Sequence, residues 1–127
     1  MGYLNDVVLV LNKAGIEELD KKLAELPDDD NKELVLYWMN VRAEYHYSGD
    51  FISRCFSLRY WHSVEWHTAD TYVNAAAEVI YTMIYSLPPE NYLFIRIGED
   101  YDDVERSGLL YYNPYNVHIR HTIEFEL

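Results

Sequence analysis

The residues best placed to do chemistry are the carboxylates of Glu99, Asp100, Asp102, Asp103 and Glu105, which follow directly on the apolar run Tyr92-Leu93-Phe94-Ile95-Arg96-Ile97-Gly98. Oxygen ligands at this density could collect a hard cation such as calcium or magnesium. The spacing fails the EF-hand template, however. Counted from Asp100 and Asp102, the third ligand position falls on Val104 and the glycine position on Glu105. No metal is expected here. One remaining reading is a solvated hairpin loop closed by Arg106 and Ser107-Gly108. The preferred one is a negatively charged epitope that docks on Arg and Lys of a partner, with Tyr101, Tyr111, Tyr112 and Tyr115 as aromatic neighbours.

The other reactive groups support no catalytic signature. His62 and His67 are five apart, so on a strand they point to opposite faces, and His118 and His121 share the parity problem. His62 with His121 remains open as a cross-strand pair, and His46 stands apart. Cys55 has no activating motif, no Gly-x-Ser-x-Gly occurs, and glycines at 2, 15, 49, 98 and 108 build no phosphate loop. Neither a cofactor nor a catalytic residue is expected.

Composition narrows the partners. Ten Lys and Arg stand against 22 Asp and Glu, a net charge of −12 that repels nucleic acid phosphates. The acids are spread along the chain, with eleven in positions 1–50, four in 51–90 and seven in 91–127, so they describe a charged globular surface and not an acidic tail. Thirteen tyrosines supply the large amphipathic side chains that protein interfaces favour. A single cysteine excludes an internal disulfide and fits a reducing compartment. With no basic leader and no run of about 20 apolar residues, a cytoplasmic protein without membrane contact is expected.

Hydrophobic periodicity sets out the elements that position these residues. Leu4 to Leu11 carries the β-branched run of a buried strand. Asn12 can cap a helix from Lys13 to Leu26, with Ile16, Leu19, Leu23 and Leu26 on one face. The Pro27-Asp28-Asp29-Asp30-Asn31 linker caps a second helix from Lys32 to about Tyr45. Phe51 to His67 alternates as a strand with Phe56, Leu58, Tyr60, His62, Val64 and Trp66 toward the core. A helix from Asp70 to Leu87, apolar almost all round, is either central to the fold or half of an interface, and Pro88-Pro89 stops it. The strand Tyr92 to Gly98 follows, and Val117 to Leu127 alternates as the last strand.

The order β-α-α-β-α-β-β predicts an α+β single domain, 1–127, with helices on one face of a mostly antiparallel sheet, in a ferredoxin-like variant. The other face would then expose Arg59, Trp61, Glu65, His67, Arg96, His118 and Arg120. That mixed basic and aromatic patch gives the alternative function, a small-molecule or metal-binding domain, conceivably enzymatic, using His62, His67, His118, His121 and Arg96. Self-association as a homodimer through the helix from Asp70 to Leu87 is a third reading.

Tyr92-Leu93-Phe94-Ile95-Arg96-Ile97-Gly98-Glu99-Asp100, together with the opening Leu4-Asn5-Asp6-Val7 through Leu11-Asn12-Lys13 and the terminal Ile119-Arg120-His121-Thr122-Ile123, resembles small acidic proteins encoded by bacteriophages and prophages of enteric bacteria. The resemblance covers roughly the first 25 and last 40 residues. It implies a host-cell context in which accessory proteins of this size and charge block restriction or CRISPR machinery by occupying basic nucleic acid grooves. The expectation is therefore a non-catalytic, phage-type inhibitor of a host nucleic-acid-handling defence enzyme, acting through Glu99, Asp100, Tyr101, Asp102, Asp103, Glu105, Tyr111, Tyr112 and Tyr115.

Overall fold

A computed structural model describes residues 4–49, 55–68, 71–72, 75–100, 102–120 and 123–127, without the side chains of 67, 68, 71 and 72. Strand β1 (Asn5–Asn12) leads into helix α1 (Lys13–Ala24), whose first turn is capped by the Asn12 side chain accepting from the Gly15 N–H at 2.9 Å. Asp29 caps α2 (Asp30–Tyr37) in the same way through the Lys32 N–H. The hairpin β2 (Glu44–Gly49) and β3 (Cys55–Val64) follows. After a short ladder of β4 (His67–Thr68) and β5 (Thr71–Tyr72) comes α3 (Ala75–Tyr85). The chain then returns through β6 (Tyr92–Ile97) and β7 (Val104–Ser107) and ends in a small hairpin of β8 (His118–Ile119) and β9 (Ile123–Glu124).

The fold is α+β, built on a five-stranded antiparallel sheet in the order β2-β3-β1-β6-β7. The linear order carries more strands than expected: β2 and the β4–β5 ladder are added before α3 and the β8–β9 hairpin stands in place of one terminal strand, β2 arising because the residues around Tyr45 do not extend the second helix. That helix ends in a single π-helical turn at Trp38–Arg42. The wide turn leaves carbonyls for donors arriving from β3. The Trp61 indole N–H donates to the Trp38 carbonyl at 2.9 Å, and Arg59 Nε donates to the Met39 carbonyl at 3.0 Å. Arg59 is buried, which pulls its guanidinium below the usual range, and it lies 4.6 Å from the centre of the Tyr45 ring.

Both faces of the sheet are covered, which corrects the expected open face. Register puts Val7, Leu9, Leu11, Trp61 and Phe94 toward the helices, where Leu19, Leu23, Val35, Met39, Ile80 and Ile84 meet them. Val8, Val10, Leu58, Leu93, Ile95 and Ile97 face the other way and are covered by the C-terminal segment through Tyr115, Val117, Ile119, Ile123 and Phe125. Trp61, Arg59 and Arg96, read as exposed, are buried on the helix side. Phe56, Leu58 and Tyr60 do not share a face with Val64 and Trp66, because β3 carries one extra residue opposite Asp6, where Ser63 takes a positive φ of 51°. In α3, Ala76, Ala77, Ile80, Met83 and Ile84 are buried in the core and Tyr81 and Tyr85 meet Phe94 edge to face, so this helix is central to the fold.

Gly108 holds the last connection in place at φ +87°, where an added Cβ would lie 2.0 Å from the Tyr92 carbonyl oxygen. That carbonyl accepts from the Leu110 N–H, so the approach is fixed from both sides. Gly108→Ala is expected to cost about 2–4 kcal/mol, read as a lower urea midpoint at unchanged slope.

Candidate functional site

The candidate site forms where β1 begins and β3 and β6 end. Register places Asn5 opposite Val64 and Asp6 opposite Ile97, so Asp6, Glu65 and the turn from Gly98 to Asp103 share one end of the sheet. Asp6 accepts from the Ser63 N–H at 2.8 Å and meets His62 Nδ1 at 2.9 Å. Glu99 accepts from the Leu4 N–H at 2.8 Å. The turn is closed by backbone bonds from the Gly98 N–H to the Asp103 carbonyl at 2.8 Å and from the Asp103 N–H to the Asp100 carbonyl at 3.0 Å. Glu99, Asp100 and Asp102 are exposed on it. Carboxylates thus sit at the ends of three neighbouring strands, which run about 4.8 Å apart.

The turn is anchored from below by Arg96, a 4 % exposed guanidinium on the helix-side face. Its Nη2 and Nη1 reach the two Asp103 oxygens at 2.8 and 3.2 Å, Nη1 also reaches Asn5 Oδ1 at 2.8 Å, and Nε reaches Glu105 Oε1 at 3.0 Å. Tyr85 on α3 donates to the other Glu105 oxygen at 2.6 Å. Burial alone would lower the Arg96 pKa, but its bonds and charge pairing with Asp103 and Glu105 outweigh that and hold it above the usual range. Burial likewise pushes Glu105 up, yet hydrogen bonds from Tyr85, Tyr81 and Arg96 leave it below the ordinary carboxylate value. Tyr85 is pushed up, by burial first and then by Glu105.

Because the folded-state pKa of Glu105 is lowered, its stabilising contribution is complete above the unfolded carboxylate value of about 4.3 and disappears as pH falls through the folded value. Denaturant titrations between pH 6 and pH 3 should show stability falling with acid, and Glu105→Gln should flatten that fall while lowering stability near neutrality.

The structure separates the residues grouped by sequence. Asp103 and Glu105 are half-buried against Arg96 and hold the hairpin, leaving Glu99, Asp100 and Asp102 as its outward carboxylates. Tyr101 and His121 lie outside the described residues. Tyr111 and Tyr112 are exposed but stand near the Tyr92 end of β6, since the Leu110 N–H donates to the Tyr92 carbonyl. A strand of this length places them roughly 17 Å from the acidic turn. Tyr115 is a correction. It is 2 % exposed within the second core, with its hydroxyl donating to the Phe56 carbonyl at 3.2 Å, so it offers no contact surface.

The chain matches no family model, no curated protein and no solved structure. Among the described residues no group of three or more His, Cys, Asp or Glu could hold a metal ion. Among the described histidine side chains, His118 is held by the Asn116 carbonyl and by Glu124 at 2.8 Å, which together raise its pKa, whereas the buried His46 Nε2 makes no hydrogen bond and lies 3.7 Å from Glu44. No helix among the described residues is long and apolar enough to cross a membrane. Sequence reasoning placed Arg96 on an exposed sheet face and missed its role as a buried anchor. The available signal was an arginine within an apolar strand, which when buried needs carboxylates, and two stood in the following hairpin arm.

Proposed function

We propose that this chain is a non-catalytic acidic interaction protein that binds a basic, nucleic-acid-handling host enzyme of the CRISPR or restriction type and inhibits it. The observation that carries the reading is the set of carboxylates at one end of the sheet, Asp6 and Glu65 at the ends of β1 and β3 and Glu99, Asp100 and Asp102 on the adjoining turn, which Arg96 clamps from below. Acids held on strand ends present fixed negative charge, so a basic groove that releases counterions to nucleic acid can release them to this surface instead. The net charge of −12 adds long-range steering toward such a groove and opposes direct binding of nucleic acid. The resemblance to phage and prophage proteins supplies the host setting, the cytoplasm of the infected cell. We also read the β-α-β-β-α-β alternation as the ferredoxin-like variant, on the strength of the strand order β2-β3-β1-β6.

The test is inhibition of such a host enzyme by the protein and by a Glu99→Gln/Asp100→Asn/Asp102→Asn variant. Asp103 stays intact because its loss would unseat Arg96 and report on folding. Affinity should fall at least about tenfold in the variant, whereas Glu17→Gln/Glu25→Gln on the exposed side of α1 should leave it unchanged. Unaltered inhibition by the turn variant sinks the reading.

A further inference from the structure

Beyond the acidic sheet end, a cleft of about 550 Å³ opens on the second face, between the β6–β7 hairpin, the turn after Gly98 and the C-terminal hairpin. Its apolar lining is Ile97, Val104 and Ile119. At one side stand Glu99 and Asp100, and the remaining charged lining is Arg106 and Arg120. Register fixes Arg106 opposite Ile95, so it faces the cleft side of the sheet, away from Asp103 and Glu105 with their Arg96. Arg106 and Arg120 are exposed and have no ion-pair partner among the described residues, on a chain with more than twice as many acids as bases.

We infer that this cleft binds a small zwitterion with an apolar body, an amino acid or a short peptide carrying both free termini. The two guanidiniums take the carboxylate, for which their planar donor geometry is suited. Glu99 and Asp100 take the ammonium, and Ile97, Val104 and Ile119 take the apolar side chain. A simple anion satisfies only the arginines and meets the two carboxylates. A cation meets the reverse problem. A neutral hydrocarbon leaves the two guanidiniums to be desolvated without a charged partner. The cleft falls within the range of small-molecule sites, about 300–1,000 Å³, which accommodates either size of zwitterion.

The test is a titration of the full chain, by calorimetry and by amide chemical shifts, with leucine, with trileucine, and with leucine or trileucine capped at one end as the N-acetyl or the amide form. Leucine or trileucine should bind saturably, and which of the two binds more tightly identifies the source as a free amino acid or a peptide. Capping either end should weaken binding at least about tenfold, as should Arg106→Gln or Arg120→Gln, each being the loss of a charge-assisted contact. Lys13→Gln, at the exposed start of α1, should change nothing. Absence of saturable binding by both zwitterions overturns the inference. So does capped ligand binding as well as uncapped, or an Arg106→Gln/Arg120→Gln double variant that folds normally and retains full affinity. Zwitterion binding and enzyme inhibition are separate readouts, so the failure of one leaves the other standing.

Discussion

Arg96→Met is expected to destabilise the protein by about 3–5 kcal/mol. The guanidinium is 4 % exposed and binds Asp103, Glu105 and Asn5 at 2.8 to 3.2 Å, and Asn5 is itself 1 % exposed. Methionine fills a similar volume but leaves two half-buried carboxylates and a buried amide oxygen without their donor. The cost comes from stranding those groups more than from the worth of the ion pairs. Adding Glu105→Leu to Arg96→Met should therefore recover part of the loss, since it removes one stranded charge from beneath Tyr85. Urea unfolding of the single and double variants measures both. A loss below about 1 kcal/mol for Arg96→Met would place the network among ordinary surface pairs.

Trp61→Ala is expected to cost about 3–5 kcal/mol. The indole is fully buried, with its ring 5.3 Å from Trp66 at a tilted angle, and it lies in the same cluster as Val7, Met39 and Phe94. Two effects combine at this position. Truncation opens a cavity where β3 meets the helices, and the Trp38 carbonyl loses its indole donor in the π-helical turn. Trp61→Phe weights them differently, because it removes the donor in full but only the smaller part of the ring volume. Its expected cost is about 1–3 kcal/mol. Equal losses for the two variants in urea unfolding would show that the hydrogen bond, and not packing, dominates.

Local signals sufficed for the first strand, the Asn12 cap, α1 and the stop at Pro88-Pro89, because each lies in residues close in sequence. They failed around Tyr45. Leu34, Trp38, Val41 and Tyr45 share helical spacing, but donors from Arg59 and Trp61, some twenty positions on, take the carbonyls of the last turn, and the chain leaves as β2. The terminal strand was half legible. Val117 to Leu127 does alternate in polarity and Val117, Ile119, Ile123 and Phe125 do pack on the second face, yet the chain pairs back on itself through Ile119 and Ile123 and does not run on as one strand. No periodicity announces that a tail will fold over a sheet, so the open face was misread. At the site, the acidic turn was plain in the sequence, whereas the division between its anchoring and outward carboxylates depends on the β6–β7 register that sets Arg96 opposite Glu105.

The salt dependence of binding decides whether the outward carboxylates of this turn meet a basic surface. Affinity for a basic host nuclease or CRISPR effector should be measured from about 50 to 200 mM salt, for the unaltered protein and for Glu99→Gln/Asp100→Asn/Asp102→Asn. Affinity of the unaltered protein should fall steeply with salt, and that of the variant along a clearly shallower slope. Identical slopes and identical affinities for the two would contradict it.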